Sequence, residues 1–89
     1  MNTDIRIGDI VKHFKWEMLS DEEKKQNKYI YQIKAIATHT EDGCLLVIYQ
    51  ALYFPFEIYA RPINLFCEEV DHIKYPDIRQ KYRFEKFIL

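Results

Sequence analysis

Tyr29-Ile30-Tyr31-Gln32-Ile33-Lys34-Ala35-Ile36-Ala37-Thr38-His39-Thr40-Glu41-Asp42-Gly43-Cys44-Leu45-Leu46-Val47-Ile48-Tyr49-Gln50-Ala51-Leu52-Tyr53-Phe54-Pro55-Phe56-Glu57-Ile58-Tyr59-Ala60-Arg61 is the stretch on which the fold turns. It reads as three strands in succession whose inward face carries tyrosines as well as aliphatics. A purely structural sheet fills its face with Val, Ile and Leu, whereas Tyr brings an apolar ring and a hydroxyl that needs a partner. The face is therefore read as a candidate binding surface.

The turn sets the expected register. Glu41-Asp42-Gly43 supplies the Asp and Gly of a three-residue loop, with Gly43 where a positive φ is needed. Setting Thr40 opposite Cys44 pairs His39 with Leu45, Ala37 with Val47, Ala35 with Tyr49, Ile33 with Ala51 and Tyr31 with Tyr53, all on one face. The other face then pairs Thr38 with Leu46, Ile36 with Ile48, Lys34 with Gln50 and Gln32 with Leu52, a mixed set suited to a half-covered side. A two-residue Asp42-Gly43 turn shifts this register by one and scrambles both faces, so the longer loop is preferred.

Working outward, Ile5 to Phe14 is the first strand candidate, with a tight turn or bulge at Gly8-Asp9. Ile10, Lys12 and Phe14 alternate with Val11 and His13, and only the neighbouring strand can decide which set is buried. Ser20 followed by Glu23 is a capping-box signature, and Lys24, Lys25 and Lys28 suit the far end of the helix dipole. Without an apolar stripe, this segment reads as one or two solvated helical turns in a loop. Arg61-Pro62 ends the extended run. Ile63, Phe66, Cys67 and Val70 then recur at helical spacing, which packs Phe66 onto the sheet and makes Cys67 a core residue. Tyr82 to Ile88 alternates as a final strand.

An 89-residue chain with 48% hydrophobic and 16% aromatic residues is expected to be a single domain over 1–89. The fold class expected is mainly β: a small SH3-like antiparallel barrel of about five strands with a short helix and a helical loop insertion. An open antiparallel sheet crossed by one helix is the alternative. A net charge of −1 and a pI near 6.3 give no global attraction to nucleic acid or anionic lipid. Two cysteines are too few for a disulfide framework, and no stretch resembles a leader or membrane span. A cytoplasmic setting is expected. The scarcity of glycine argues against a phosphate loop.

Several strings carry a resemblance: Val11-Lys12-His13-Phe14-Lys15, Tyr29-Ile30-Tyr31, Ile36-Ala37-Thr38-His39-Thr40-Glu41, Leu46 through Tyr53, Tyr59-Ala60-Arg61-Pro62, Phe66 and Lys81-Tyr82-Arg83-Phe84-Glu85. Over about residues 8 to 85 the chain resembles a bacterial family of small proteins called domain of unknown function 1653. It departs from the family pattern at Trp16 and the charged segment after it, and at Phe54-Pro55, where relatives tend to carry Gly-Asp. The resemblance implies a cytoplasmic single-domain protein and no particular reaction.

Five residues of the matched segments form the candidate ligand-binding set: His13, His39, Tyr49, Tyr53 and Arg61. Arg61 is either a fork for a carboxylate or phosphate or an ion-pair partner of Glu57, Glu68 or Glu69. His39 and His13 are each either a donor or base near neutral pH or a local backbone cap; for His39 the cap, onto Glu41 or Asp42, is preferred. Tyr49 and Tyr53, four apart on one strand, are either a stacking platform or core. No catalytic residue is assigned, because Ser20 is a helix cap and Cys67 sits beside Glu68 and Glu69. No metal or cofactor is expected: the histidines lack ligand spacing and Cys44 and Cys67 are 23 residues apart.

The function expected is a noncatalytic binding module for a small anionic or aromatic ligand, nucleotide-like, or for a peptide. A small hydrolase or transferase using His39 and Arg61 is one alternative. A nucleic-acid-binding SH3-like barrel is the other, with Lys12, Lys15, Arg79, Lys81, Arg83 and Lys86 forming a basic strip if the first and last strands adjoin. Monomer and homodimer are both open, the latter through the apolar tail Phe87-Ile88-Leu89.

Overall fold

The computed structural model describes residues 5–88. Five antiparallel strands form one sheet: β1 (Ile10–His13), β2 (Ile30–Thr38), β3 (Leu45–Ala51), β4 (Ile58–Pro62) and β5 (Phe84–Lys86), in the order β4-β3-β2-β1-β5. A 3₁₀ turn (Phe14–Met18) and α1 (Asp21–Lys25) fill the β1–β2 connection, and α2 (Ile63–Phe66) follows β4. The mainly β expectation and both helical pieces are met. Barrel closure is not: β4 and β5 are the two edges of an open sheet. β5 is three residues long and β4 ends on Pro62, which has no ladder donor, so neither edge offers a row long enough to zip onto the other.

The sheet nevertheless coils until its edges face each other. The Arg61 guanidinium of β4 lies 5.9 Å from the centre of the Phe84 ring of β5, and Phe66 of α2 stacks on Phe84 at 4.1 Å and 6°. Side chains thus bridge the gap between β4 and β5, while beyond the two strands Arg83 N–H donates to the Glu68 carbonyl at 2.9 Å and Val70 N–H to the Lys81 carbonyl at 2.8 Å. Residues directly opposite on a ladder point to the same side, so the pairs Val11–Tyr31–Ala51, Ile33–Tyr49–Tyr59, Val47–Arg61 and His13–Phe84 define the concave face. β2 and β5 thereby settle the β1 alternation in favour of Val11 and His13. Val11, Tyr31, Ile33, Val47, Tyr49, Ala51, Phe66, Cys67 and Phe84 form the main core.

The hairpin register differs from the expected one in two steps. His39 N–H donates to the Cys44 carbonyl at 2.8 Å and Gly43 N–H to the His39 carbonyl at 2.9 Å. The loop therefore has four residues, Thr40 to Gly43, with His39 rather than Thr40 opposite Cys44. Two side-chain acceptors within the turn favour it: His39 Nδ1 takes the Glu41 N–H at 3.1 Å and Asp42 Oδ1 the Cys44 N–H at 2.9 Å. Gly43 keeps its positive φ, +76°. A second shift between Ile33 and Ala35 is a β-bulge, which restores Ile33 opposite Tyr49 and Tyr31 opposite Ala51. Past the bulge Ile36 and Thr38 take the concave side, opposite Val47 and Leu45, and His39 turns to the other face.

The insertion after β1 folds as the sequence predicts and is tied down at both ends. Ser20 and Glu23 complete a capping box, while the Trp16 ring holds the Lys12 and Lys24 ammonium groups 4.6 Å and 4.5 Å from its centre, docking α1 against β1. Glu17 accepts the amides of Arg79 and Gln80 at 2.9 Å and 2.8 Å. Buried Gln80 donates in turn to the carbonyls of Lys12, Tyr82 and Arg83. That clamp delivers the chain to β5. Beyond it, Phe87 N–H bonds the Ile10 carbonyl; Leu89 of the apolar tail lies outside the described residues.

Candidate functional site

A hollow of about 250 Å³ opens at the seam between the coiled edges. Its walls are His13 from β1, Tyr31 and Tyr49 from the middle of the sheet, Tyr59 and Arg61 from β4, and Phe84 from β5, with Lys15 and Tyr29 at its margin. Strand pairing explains the convergence: Tyr59 sits opposite Tyr49, and His13 opposite Phe84. A second hollow, of about 340 Å³, shares His13, Lys15 and Arg61 with the first and adds Asp71, Lys74 and Arg83. No carboxylate borders the first hollow among the described residues.

Arg61 is the central group. The three glutamates considered for it are engaged elsewhere: Glu57 accepts the Tyr59 hydroxyl at 3.1 Å, Glu68 lies 3.4 Å from Arg83 Nε and Glu69 lies 3.8 Å from Lys81 Nζ. The Arg83–Glu68 approach is an ion pair without hydrogen-bond geometry, leaving Arg83 Nε unsatisfied. The Arg61 side chain makes no hydrogen bond or ion pair to any described residue and rests its guanidinium over Phe84. Its charge faces both hollows.

His13 is held as a neutral ring. Its Nδ1 accepts the Lys15 N–H at 3.1 Å, capping the 3₁₀ turn. Burial first, then the charges of Lys15, Arg61 and Arg83, lowers its pKa from 6.5 to about 4. With Nδ1 an acceptor, the proton of the neutral imidazole resides on Nε2, which is left as a donor with no partner among the described residues. Its ring packs edge-on against Phe84 at 5.0 Å.

The tyrosines divide into bonded and unbonded hydroxyls. Tyr31 and Tyr53 share a hydrogen bond of 2.9 Å, and burial followed by that bond pushes the Tyr31 pKa up. Tyr49 is only 5% exposed, yet its hydroxyl has no partner among the described residues. Its oxygen is not among the sealed atoms that lack a partner, so the ring is buried while the hydroxyl is open to the hollow as a donor and acceptor. Tyr29 has φ +64°, a conformation that is a genuine outlier for a bulky residue, while its carbonyl holds His13 N–H at 2.9 Å. Such strain concentrates at functional sites.

Of the five residues proposed from sequence, His13, Tyr49 and Arg61 meet at the seam. Tyr53 reaches it only through Tyr31 and borders a separate depression with Gln26, Lys28 and Phe54. His39 stays at the hairpin turn, 3.6 Å from Asp42, and borders neither hollow. Lys15, Tyr29, Tyr31, Tyr59 and Phe84 were missed. Tyr59 was legible, standing two residues before Arg61 on one strand and hence on the same face; Tyr29 gave no signal, because a positive φ at tyrosine is not written in the sequence. Cys67 is buried, and burial raises its pKa. Among the described residues, no three His, Cys, Asp or Glu side chains are grouped to hold a metal ion, and no helix is long and apolar enough to cross a membrane.

A family model described as "Protein of unknown function (DUF1653)" matches residues 9–86. That span includes every wall of the seam hollow. Neither the curated proteins nor the solved structures contain a match to the chain.

Proposed function

Because the chain belongs to the DUF1653 family of proteins of unknown function, its relatives lend it no activity, and we propose from the site itself that it is a noncatalytic module holding a small anionic ligand at the Arg61 seam. The observation that supports this is a guanidinium facing a cavity with no carboxylate partner while the neighbouring glutamates bond other groups. A half-buried cation without a counter-ion is electrostatically costly, and an oxyanion gripped in bidentate fashion relieves that cost. Neutral His13 adds an N–H donor, and the Tyr49 hydroxyl another. Nothing in this set activates a nucleophile: His39 is remote from Arg61, and no serine or thiol borders the hollow.

Nucleic-acid binding draws less support. β1 and β5 do adjoin, bringing the basic residues together, but Lys81, Arg83 and Lys86 are each paired with an acid, Glu69, Glu68 and Asp9.

The test is a thermal-shift titration with inorganic phosphate and pyrophosphate. The wild-type chain should gain melting temperature with rising anion and lose that gain as sodium chloride is added. Arg61→Ala should keep the folded circular dichroism spectrum and lose at least about nine-tenths of the anion response, the weight of one charge-assisted bidentate contact of roughly 1.5–3 kcal/mol. An Arg61→Ala chain that melts like wild type and still responds fully would refute the assignment.

A further inference from the structure

The geometry points to a ligand in two parts, and we propose that it is of the nucleoside diphosphate class, with its ring in the tyrosine hollow and its phosphates across Arg61 in the neighbouring one. This rests on the anion-binding reading above and specifies what the anion carries.

Three observations lead there. The first is size. The tyrosine hollow, at about 250 Å³, falls below the range of roughly 300–1,000 Å³ that encloses a whole small molecule, so a ring seated in it must continue elsewhere. The adjoining hollow, about 340 Å³, is bordered by the same His13, Lys15 and Arg61, which makes it the direction of that continuation.

The second is the division of chemistry between the two. The first hollow is walled largely by aromatic rings, with Tyr59 tilted against Tyr49 at 5.5 Å, and Tyr49, whose hydroxyl has no partner among the described residues, lines it. Rings stack on aromatic walls, and a heteroatom on the ring edge satisfies such a hydroxyl. The second hollow sets four cations, Lys15, Arg61, Lys74 and Arg83, beside the rings of Phe14 and Tyr75. Its single acid, Asp71, spends Oδ1 on the amides of Ile73 and Lys74 at 3.1 Å and 3.2 Å.

The third is the charge count. Lys15, Arg61 and Lys74 border the second hollow and none has an ion-pair partner among the described residues. Set against the Asp71 carboxylate, these three cations leave a net charge of about +2, which a carboxylate does not neutralise. A phosphate ester, at about −1.5 to −2 near neutral pH, matches it, and a diphosphate does so with more oxygens to share among the three cations. Neutral His13 fits between the two parts, offering Nε2–H to a linking oxygen without adding a further cation.

The experiment is isothermal titration calorimetry of the full chain with inorganic phosphate, pyrophosphate, adenosine, and the mono- and diphosphates of adenosine, guanosine, cytidine and uridine. At least one nucleoside diphosphate should bind about tenfold or more tighter than both its monophosphate and pyrophosphate, and adenosine alone should bind weakly or not at all. Tyr49→Phe, which keeps the ring and removes only the unpaired oxygen, should weaken that nucleotide about three- to tenfold and leave pyrophosphate unchanged. Lys74→Ala, at an exposed position, should weaken the diphosphate more than the monophosphate. Pyrophosphate binding as tightly as every nucleotide would overturn the two-part ligand and leave the anion site standing. If phosphate, pyrophosphate and all nucleotides fail to bind, both readings fall.

Discussion

His13 shows how one side chain serves the fold and the seam together. Its ring is half-buried and neutral, with a pKa of about 4 against an ordinary value of 6.5. A histidine that resists protonation when folded binds its proton more readily when unfolded, so acid favours unfolding through this group. Its stabilising contribution is complete above about pH 6.5 and is lost progressively as pH falls from 6.5 toward 4. The full gap is worth up to roughly 3 kcal/mol. His13→Asn, which keeps a short acceptor for the Lys15 amide, should flatten the wild-type fall in urea stability between pH 7 and pH 4.5; an unchanged slope would show that the ring is solvated. Arg61 and His13 were legible because charged and amphipathic residues stand at alternate positions of apolar strands. Their roles were not: whether Arg61 met Glu57, Glu68 or Glu69 depended on where those acids found other partners.

The β2–β3 hairpin separates what turn chemistry can say from what it cannot. Gly43 was correctly placed at the positive-φ position, yet the loop holds four residues because His39 Nδ1 and Asp42 Oδ1 each capture an amide inside it. The bulge between Ile33 and Ala35 has no signature in Ile33-Lys34-Ala35. A one-residue slip reverses a strand's faces, so the difference of one at the turn puts His39 on the face away from Tyr49, while the bulge returns Tyr31 and Ile33 to the concave side. Gly43→Ala isolates the turn. No atom lies within 4 Å of the added Cβ, leaving only the backbone penalty at φ +76°, about 1 kcal/mol. Differential scanning calorimetry should show a melting temperature lower by about 4–8 °C, with anion binding unaltered.

At the level of the whole molecule, strand count and helical pieces were readable, while the open seam was not. Local alternation carries no information on whether the first and last edges meet; that depends on β5 being three residues long and on Pro62 closing β4. The coil of the sheet gathers Arg61, His13 and Phe84 from positions far apart in sequence, and the absence of a ladder between the edges leaves room between them. An unclosed sheet also has an outer rim. Along β4 and the turn before it, Ile58 is 64% and Phe54 84% exposed beside backbone groups without a neighbouring strand, the combination that recruits further chains in crowded solution. Concentrated stocks should therefore scatter light increasingly as they age, and Ile58→Lys, a gatekeeper charge on that rim, should suppress the scattering while changing stability by no more than about 0.5 kcal/mol. The gap that makes space for a guest thus leaves the protein with a colloidal weakness, and its handling in the laboratory will be governed by the outside of the same strand that carries Arg61.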